Sequence, residues 1–161
     1  MFNTLAQKRN ITISHSGLAG VVVRADRTRL KQVLFNLLSN AIKYNRQGGK
    51  VSIDAQAVGN QRLRLRVTDT GPGIPAERLG ELFEPFNRLG VENTTVEGTG
   101  IGLTITRRIM QAMGGTVDVQ STLGVGSTFW IELPLDSLAD TQHHSVSAGD
   151  SALLVADPVA V

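Results

Sequence analysis

No cysteine occurs among the 161 residues, so disulfides and Cys-based metal sites are excluded outright. No run of lysine and arginine stands out against a formal net charge of only +2, so no nucleic-acid partner is expected. No apolar stretch approaches the roughly 18–20 residues needed to cross a bilayer. The opening MFNTLAQKRN also lacks the apolar stretch of a signal peptide. A cytoplasmic location is expected, whether or not a longer parent is anchored to a membrane. No internal repeat is visible. What remains is ordinary: 41% hydrophobic and 19% charged residues, as in soluble globular domains. The length suits one domain with a sizeable core and a short tail.

Residues 1–10 are polar with scattered apolar positions and read as the end of a longer helix. Ile11 and Ile13 alternate with polar residues, and Val21, Val22 and Val23 follow, which predicts two strands. Asp26 is a good N-cap for a helix whose buried face carries Leu30, Val33, Leu34, Leu37, Leu38 and Ala41 at three- and four-residue steps. Gly48 and Gly49 are expected to end it. Val51, Ile53, Ala55 and Ala57 then alternate on one side of a Gly59-Asn60 turn, and Leu63, Leu65 and Val67 on the other, which is a β-hairpin pattern.

A Gly/Pro loop at 69–75 leads to a short helix ending near Phe86, and residues 87–98 lack periodicity and read as a mobile loop. A second long helix is expected from about Gly100 to Met113, stopped by Gly114-Gly115. Two strands, 116–120 and 128–133, complete the pattern. The order predicts an α+β fold: antiparallel strands with helices packed on one face. After Pro134 the chain becomes small and polar, like a linker, and residues 151–161 turn apolar again. That last segment reads either as a tail, free or docked back, or as the first strand of a following domain. A receiver domain is one candidate, although the acidic pair expected after its first strand is missing around Asp157.

Three stretches carry candidate chemistry. On the first long helix Asn36, Asn40 and Lys43 fall within about 60° of one another, roughly opposite the Leu/Val face. They suit a solvated polar ridge, or a site where amide oxygens hold Mg²⁺ and an ammonium meets polyphosphate. Tyr44 lies just beyond, within reach of a base or ribose. In DTGPGIP an acidic residue at a strand end precedes alternating glycines, leaving room for a purine whose amine donates to the carboxylate of Asp69. In GTGIG, from Gly98 to Gly102, glycines open a helix whose free N–H groups and dipole attract phosphate. The last is not a P-loop, because no Gly-Lys-Ser/Thr closes it, and it does not follow a strand as a Rossmann turn does.

Taken in order, these segments resemble the ATP-binding domains of sensor histidine kinases. DRTRLKQVLFNLLSNAIKY resembles the N box, VTDTGPGI the G1 box and ELFEPFNRLG the F box. EGTGIGLTITRRIM resembles the G2 box, and GVGSTFWIELP the final glycine motif. Together they span about residues 20–135 in the order of the Bergerat-fold (GHKL) superfamily. The resemblance implies a two-layer α/β sandwich with a mixed, mostly antiparallel sheet. The domain divisions then expected are the end of an upstream linker helix at 1–10, the catalytic ATP-binding domain at 11–135, and at 136–161 a linker or tail or the start of a following domain.

The resemblance also implies ATP and Mg²⁺ as cofactors. Asn36 and Asn40 would hold the metal and phosphates, Lys43 would contact phosphate and Tyr44 the nucleoside. Asp69 would bind the adenine amine, with Gly71, Gly73 and Ile74 shaping the pocket floor. Phe83 and Phe86 would anchor the lid, and Arg88 would reach the γ-phosphate, making Asn36, Lys43 and Arg88 the catalytic set. Gly98, Thr99, Gly100, Ile101, Gly102 and Leu103 would form the hinge and phosphate cradle, and Thr128 would hydrogen-bond near the adenine. Met113 stands where many relatives carry His.

A histidine kinase also needs a phospho-acceptor histidine, normally followed by an acidic residue and an Arg-Thr-Pro stretch. None of His15, His143 and His144 has that context, and they form no metal site by spacing. The expected partners are therefore the dimerisation helices of a longer parent and a response-regulator receiver domain. The isolated domain is expected to be a monomer and the parent a homodimer. ATP-hydrolysing relatives place a water-activating Glu four residues before the second N-box residue, where this sequence has Asn36. That favours donation to histidine over hydrolysis. A degenerate nucleotide-sensing or partner-binding module, another GHKL ATPase, and a serine-directed kinase of the anti-sigma type are the remaining readings.

Overall fold

The computed structural model describes residues 2–19, 22–59, 61–84, 101–135 and 152–155. Helix α1 (Phe2–Lys8) leads into strand β1 (Thr12–Ser16), then β2 (Val22–Ala25) and helix α2 (Arg27–Lys43). The hairpin follows as β3 (Lys50–Val58) and β4 (Arg62–Asp69), then a short 3-10 helix, Ala76–Glu81. Helix α3 (Gly102–Ala112), β5 (Thr116–Thr122) and β6 (Gly126–Pro134) complete the domain, and β7 (Ala152–Val155) comes last.

The five-stranded sheet has the order β1-β3-β4-β6-β5, antiparallel except for the parallel β1–β3 pair at one edge. Leu63, Leu65 and Val67 of β4 share a buried face with Phe129, Ile131 and Leu133 of β6, against which α2 and α3 pack. The intervening residues project to the other face, where Arg66 pairs with Asp54 at 2.7 Å. There Arg64 lies over the Trp130 ring at 5.2 Å and bonds Glu132 at 2.8 Å. The expected α+β sandwich is thus what the chain forms.

Asp26 caps α2 as expected, its Oδ1 accepting from the Arg29 backbone N–H at 2.9 Å. The helix nonetheless ends at Lys43, before the glycines, because Arg9 donates to the terminal carbonyls of Ile42 and Lys43. Ile42, missed by the sequence pattern, is fully buried, whereas Leu34 is only partly so. Helix α3 begins two residues later than expected and stops as predicted: Gly114 is left-handed, and the Gly115 N–H donates back to the Met110 carbonyl at 2.8 Å. Residues 152–155 pair antiparallel with β2 and form a second, two-stranded sheet.

Candidate functional site

Strand alternation points Asp69 inward. It is the last residue of β4, on the face of Leu63, Leu65 and Val67, with Ser127 opposite it on β6. The Gly71 N–H donates to its Oδ1 at 2.8 Å, and the Ser127 backbone N–H donates to it as well. Burial raises its pKa above 3.8, although both hydrogen bonds and the Arg46 guanidinium pull the other way. The result is a carboxylate short of solvation, ready to accept a further donor.

The loop after Asp69 is built around that carboxylate. A Cβ on Gly71 would stand 2.8 Å from Asp69 Oδ1 and 2.8 Å from the Tyr44 carbonyl, so the loop runs hard against the end of α2. Gly73 takes φ +73°, and a Cβ there would come within 2.1 Å of the Thr122 carbonyl. The Ile74 N–H donates to Ser121 Oγ at 2.8 Å, and Ser121 Oγ lies 2.9 Å from Ser127 Oγ. Arg46 ties the assembly together by donating to the carbonyls of Thr70 and, at 3.2 Å, Val125. The buried Asn45 secures it from below through the Lys50 carbonyl at 3.0 Å.

The second half of the site lies between the long helices. The Asn36 amide donates to Thr106 Oγ1 at 2.8 Å, across 70 residues of sequence. Its Oδ1 faces the first residue of α3: a Cβ on Gly102 would meet that oxygen at 2.3 Å. Two turns along α2, Lys43 is half-buried and Tyr44 is 40% exposed. Asn36 thus meets α3, and Asn40 and Lys43 are half-buried as it is. Thr104, also on α3, donates to the Phe83 carbonyl at 3.1 Å, and Arg107 stands 5.7 Å from the Phe83 ring. A cleft of about 220 Å³ runs between the two helices, past Gln32, Phe35, Asn36, Ile105, Thr106 and Ile109.

Of the sequence candidates, Asp69, Gly71, Gly73 and Ile74 come together at the sheet end, and Asn36 meets Gly102 at the helix pair. Ile101 and Leu103 flank Gly102, half-buried. Phe86, Arg88, Gly98, Thr99 and Gly100 lie outside the described residues, as does the loop expected at 87–98. Thr128 does not join the site. It faces the opposite side of the sheet, its hydroxyl 3.0 Å from that of Thr68, because strand alternation turns it away from Asp69. Ser127 takes that place instead, 6% exposed. Arg46, Ser121, Thr104 and Thr106 were also missed. Ser127 was findable, since period-two counting back from Leu133, Ile131 and Phe129 turns it inward.

Among the described residues no group of three His, Cys, Asp or Glu side chains is placed to hold a metal. Amide oxygens and a ligand's own phosphates are what the site has to offer a cation. That fits Mg²⁺, which takes few protein ligands and keeps phosphate oxygens and water.

Residues 25–137 match the family described as histidine kinase-, DNA gyrase B-, and HSP90-like ATPase. The chain belongs to this ATP-binding family, and its relatives are histidine kinases. It is 42% identical over 138 residues to the sensor histidine kinase AruS of Pseudomonas aeruginosa, covering 82% of this chain and 14% of AruS. The nucleotide-free catalytic domain of histidine kinase ThkA superposes with a TM-score of 0.71 at 34% identity, covering 83% of this chain and 85% of that one. ThkA in complex with the response regulator protein TrrA gives a TM-score of 0.67 at 33% identity, covering 84% of this chain and 37% of that one. Full-length ShkA in complex with AMPPNP gives 0.70 at 36% identity, covering 82% and 27%. The fold is that of a sensor histidine kinase ATP-binding catalytic domain.

Proposed function

We propose that this domain binds Mg-ATP and donates its γ-phosphoryl group to a histidine on a dimerisation helix outside these residues. The observation that carries the reading is the under-solvated carboxylate of Asp69, set beside a glycine loop and the inward Ser127. Such a group accepts the exocyclic amine of adenine. Asn36 and Tyr44 are eight residues apart on and just past α2, roughly 12 Å, a spacing on the scale of a nucleoside triphosphate. The glycine loop meets this wall at Tyr44 and the start of α3 meets it at Asn36.

In this reading the loop orients the base, while Lys43 and the N–H groups opening α3 hold the phosphates. Asn36 and Asn40 supply amide oxygens to Mg²⁺, and Arg88 reaches the γ-phosphate. Bound Mg²⁺ would neutralise charge on the phosphate oxygens during transfer. Asn36 offers no carboxylate to activate water, which favours phosphoryl donation over hydrolysis. The cleft between α2 and α3, with Phe35 and Ile105 partly exposed along it, suits an amphipathic dimerisation helix of the parent. A receiver domain is the onward partner, by analogy with the ThkA–TrrA complex. The domain is a monomer in isolation, the parent is a homodimer, and the site faces the cytoplasm.

Calorimetric titration with AMPPNP and Mg²⁺, beside an Asp69→Asn variant, tests the proposal. Micromolar to sub-millimolar binding is expected for the wild type and loss of it for the variant. A folded wild-type chain that binds no nucleotide overturns the reading in favour of a partner-binding module. Phosphorylation of a supplied dimerisation helix extends the test to the reaction, and release of free phosphate without it counts against histidine transfer.

A further inference from the structure

The Mg-ATP reading gives Asn36 a metal-facing role but does not say what fixes its side chain. A carboxamide turns freely about its last bond, and its two ends differ: the oxygen can ligate a hard cation and the nitrogen cannot. In this structure the nitrogen end is occupied. It donates to Thr106 Oγ1 at 2.8 Å, and Thr106 is 1% exposed, so water does not compete for that bond. With the nitrogen held there, Oδ1 lies against Gly102, at the end of α3 where the helix dipole and free N–H groups gather anionic oxygens.

We infer that Thr106 is a positioning residue: its buried hydroxyl locks the Asn36 carboxamide with its oxygen toward the metal–phosphate site. Thr106 never touches nucleotide or metal; it acts through Asn36. The inference rests on the proposed Mg-ATP binding. It separates Thr106 from its neighbour Thr104, whose hydroxyl points to the Phe83 carbonyl instead.

The test uses the intact chain with AMPPNP, titrated with Mg²⁺ and compared with the same titration in EDTA, for wild type, Thr106→Val and Thr106→Ser. Valine keeps the volume and removes the acceptor; serine keeps the acceptor. The Mg²⁺ concentration at half-saturation is expected to rise about fivefold in T106V, the scale of one lost hydrogen bond. Binding in EDTA should change less than twofold, and T106S should restore the Mg²⁺ response. The Asn36 side-chain amide resonances, followed by NMR without ligand, should shift in T106V and return in T106S. An unchanged Mg²⁺ response in T106V, an equal loss with and without Mg²⁺, or failure of serine to rescue overturns the inference and leaves Mg-ATP binding standing. Wild-type chain with no nucleotide binding overturns both.

Discussion

The Asp69 carboxylate sits where water is partly excluded, and its titration makes that measurable. Its pKa is raised by burial, so the folded chain holds the proton more tightly than the unfolded chain does. That favours folding below pH 3.8, and the advantage is lost as pH rises through the raised folded value. At neutral pH the ionised group therefore opposes folding. Asp69→Asn is expected to melt at the same temperature as wild type or higher at pH 7, with the gap closing as pH falls below 3.8. Thermal melts across pH read this directly, and a large loss of stability at pH 7 would contradict it. Adenine binding should weaken as the carboxylate protonates, so nucleotide affinity should fall with pH through the same range.

Two glycines with nearly the same backbone angle separate strain from space. Gly48 has φ +70° with nothing within 4 Å of where a Cβ would stand, whereas Gly73 has φ +73° and the Thr122 carbonyl at 2.1 Å. Gly48→Ala should cost about 1 kcal/mol, the left-handed penalty alone. Gly73→Ala should cost about 3 kcal/mol or more, because the loop must also move. Chemical denaturation of both variants checks the difference. At this scale the sequence was informative about chemistry and misleading about direction. The acidic residue and its glycines were legible in DTGPGIP, but the β6 residue on the face of Asp69 is Ser127, next to the expected Thr128. A one-residue slip in a strand reverses the face.

Among the elements, α2 carries the most. Leu37 is 1% exposed at the centre of its buried face, so Leu37→Ala should cost about 2–5 kcal/mol. Leu123, 65% exposed in the β5–β6 turn, should tolerate alanine within about 0.5 kcal/mol. The helix itself, the β3–β4 hairpin and the α3 stop were readable because each depends on local periodicity or turn chemistry. The α2 C-terminus was not, since Arg9 comes to it from just past α1, 33 residues earlier than the Ile42 carbonyl it meets. Nor was the contact of Asn36 with α3, which depends on where that helix packs.

In the whole molecule, the strand order β1-β3-β4-β6-β5 could not be read from the chain, because both the parallel β1–β3 pair and the β4–β6 pair join segments far apart in sequence. Pairing of residues 152–155 with β2 was open in the sequence, where the segment suited either a docked tail or a new strand. A chain ending at Leu135 should keep the five-stranded sheet and its nucleotide site, while amide exchange quickens in β2. Unchanged exchange there would show that the pairing contributes nothing to β2. Mg-AMPPNP at a hundred times its dissociation constant should stabilise the fold by about 2.7 kcal/mol, seen as a higher melting temperature that EDTA lowers.

The two contacts that define the site span the chain: Asn36 meets Thr106 across 70 residues, and β4 meets β6 where Asp69 lies opposite Ser127. Such long loop closures cost more entropy than the local hairpins, so they are expected to follow them. If those closures complete after the rate-limiting step, the nucleotide pocket is absent from the folding transition state. Ligand cannot hasten a step that precedes its own site. Its effect falls on the reverse rate, so ATP should act as a brake on unfolding and leave the speed of folding unchanged.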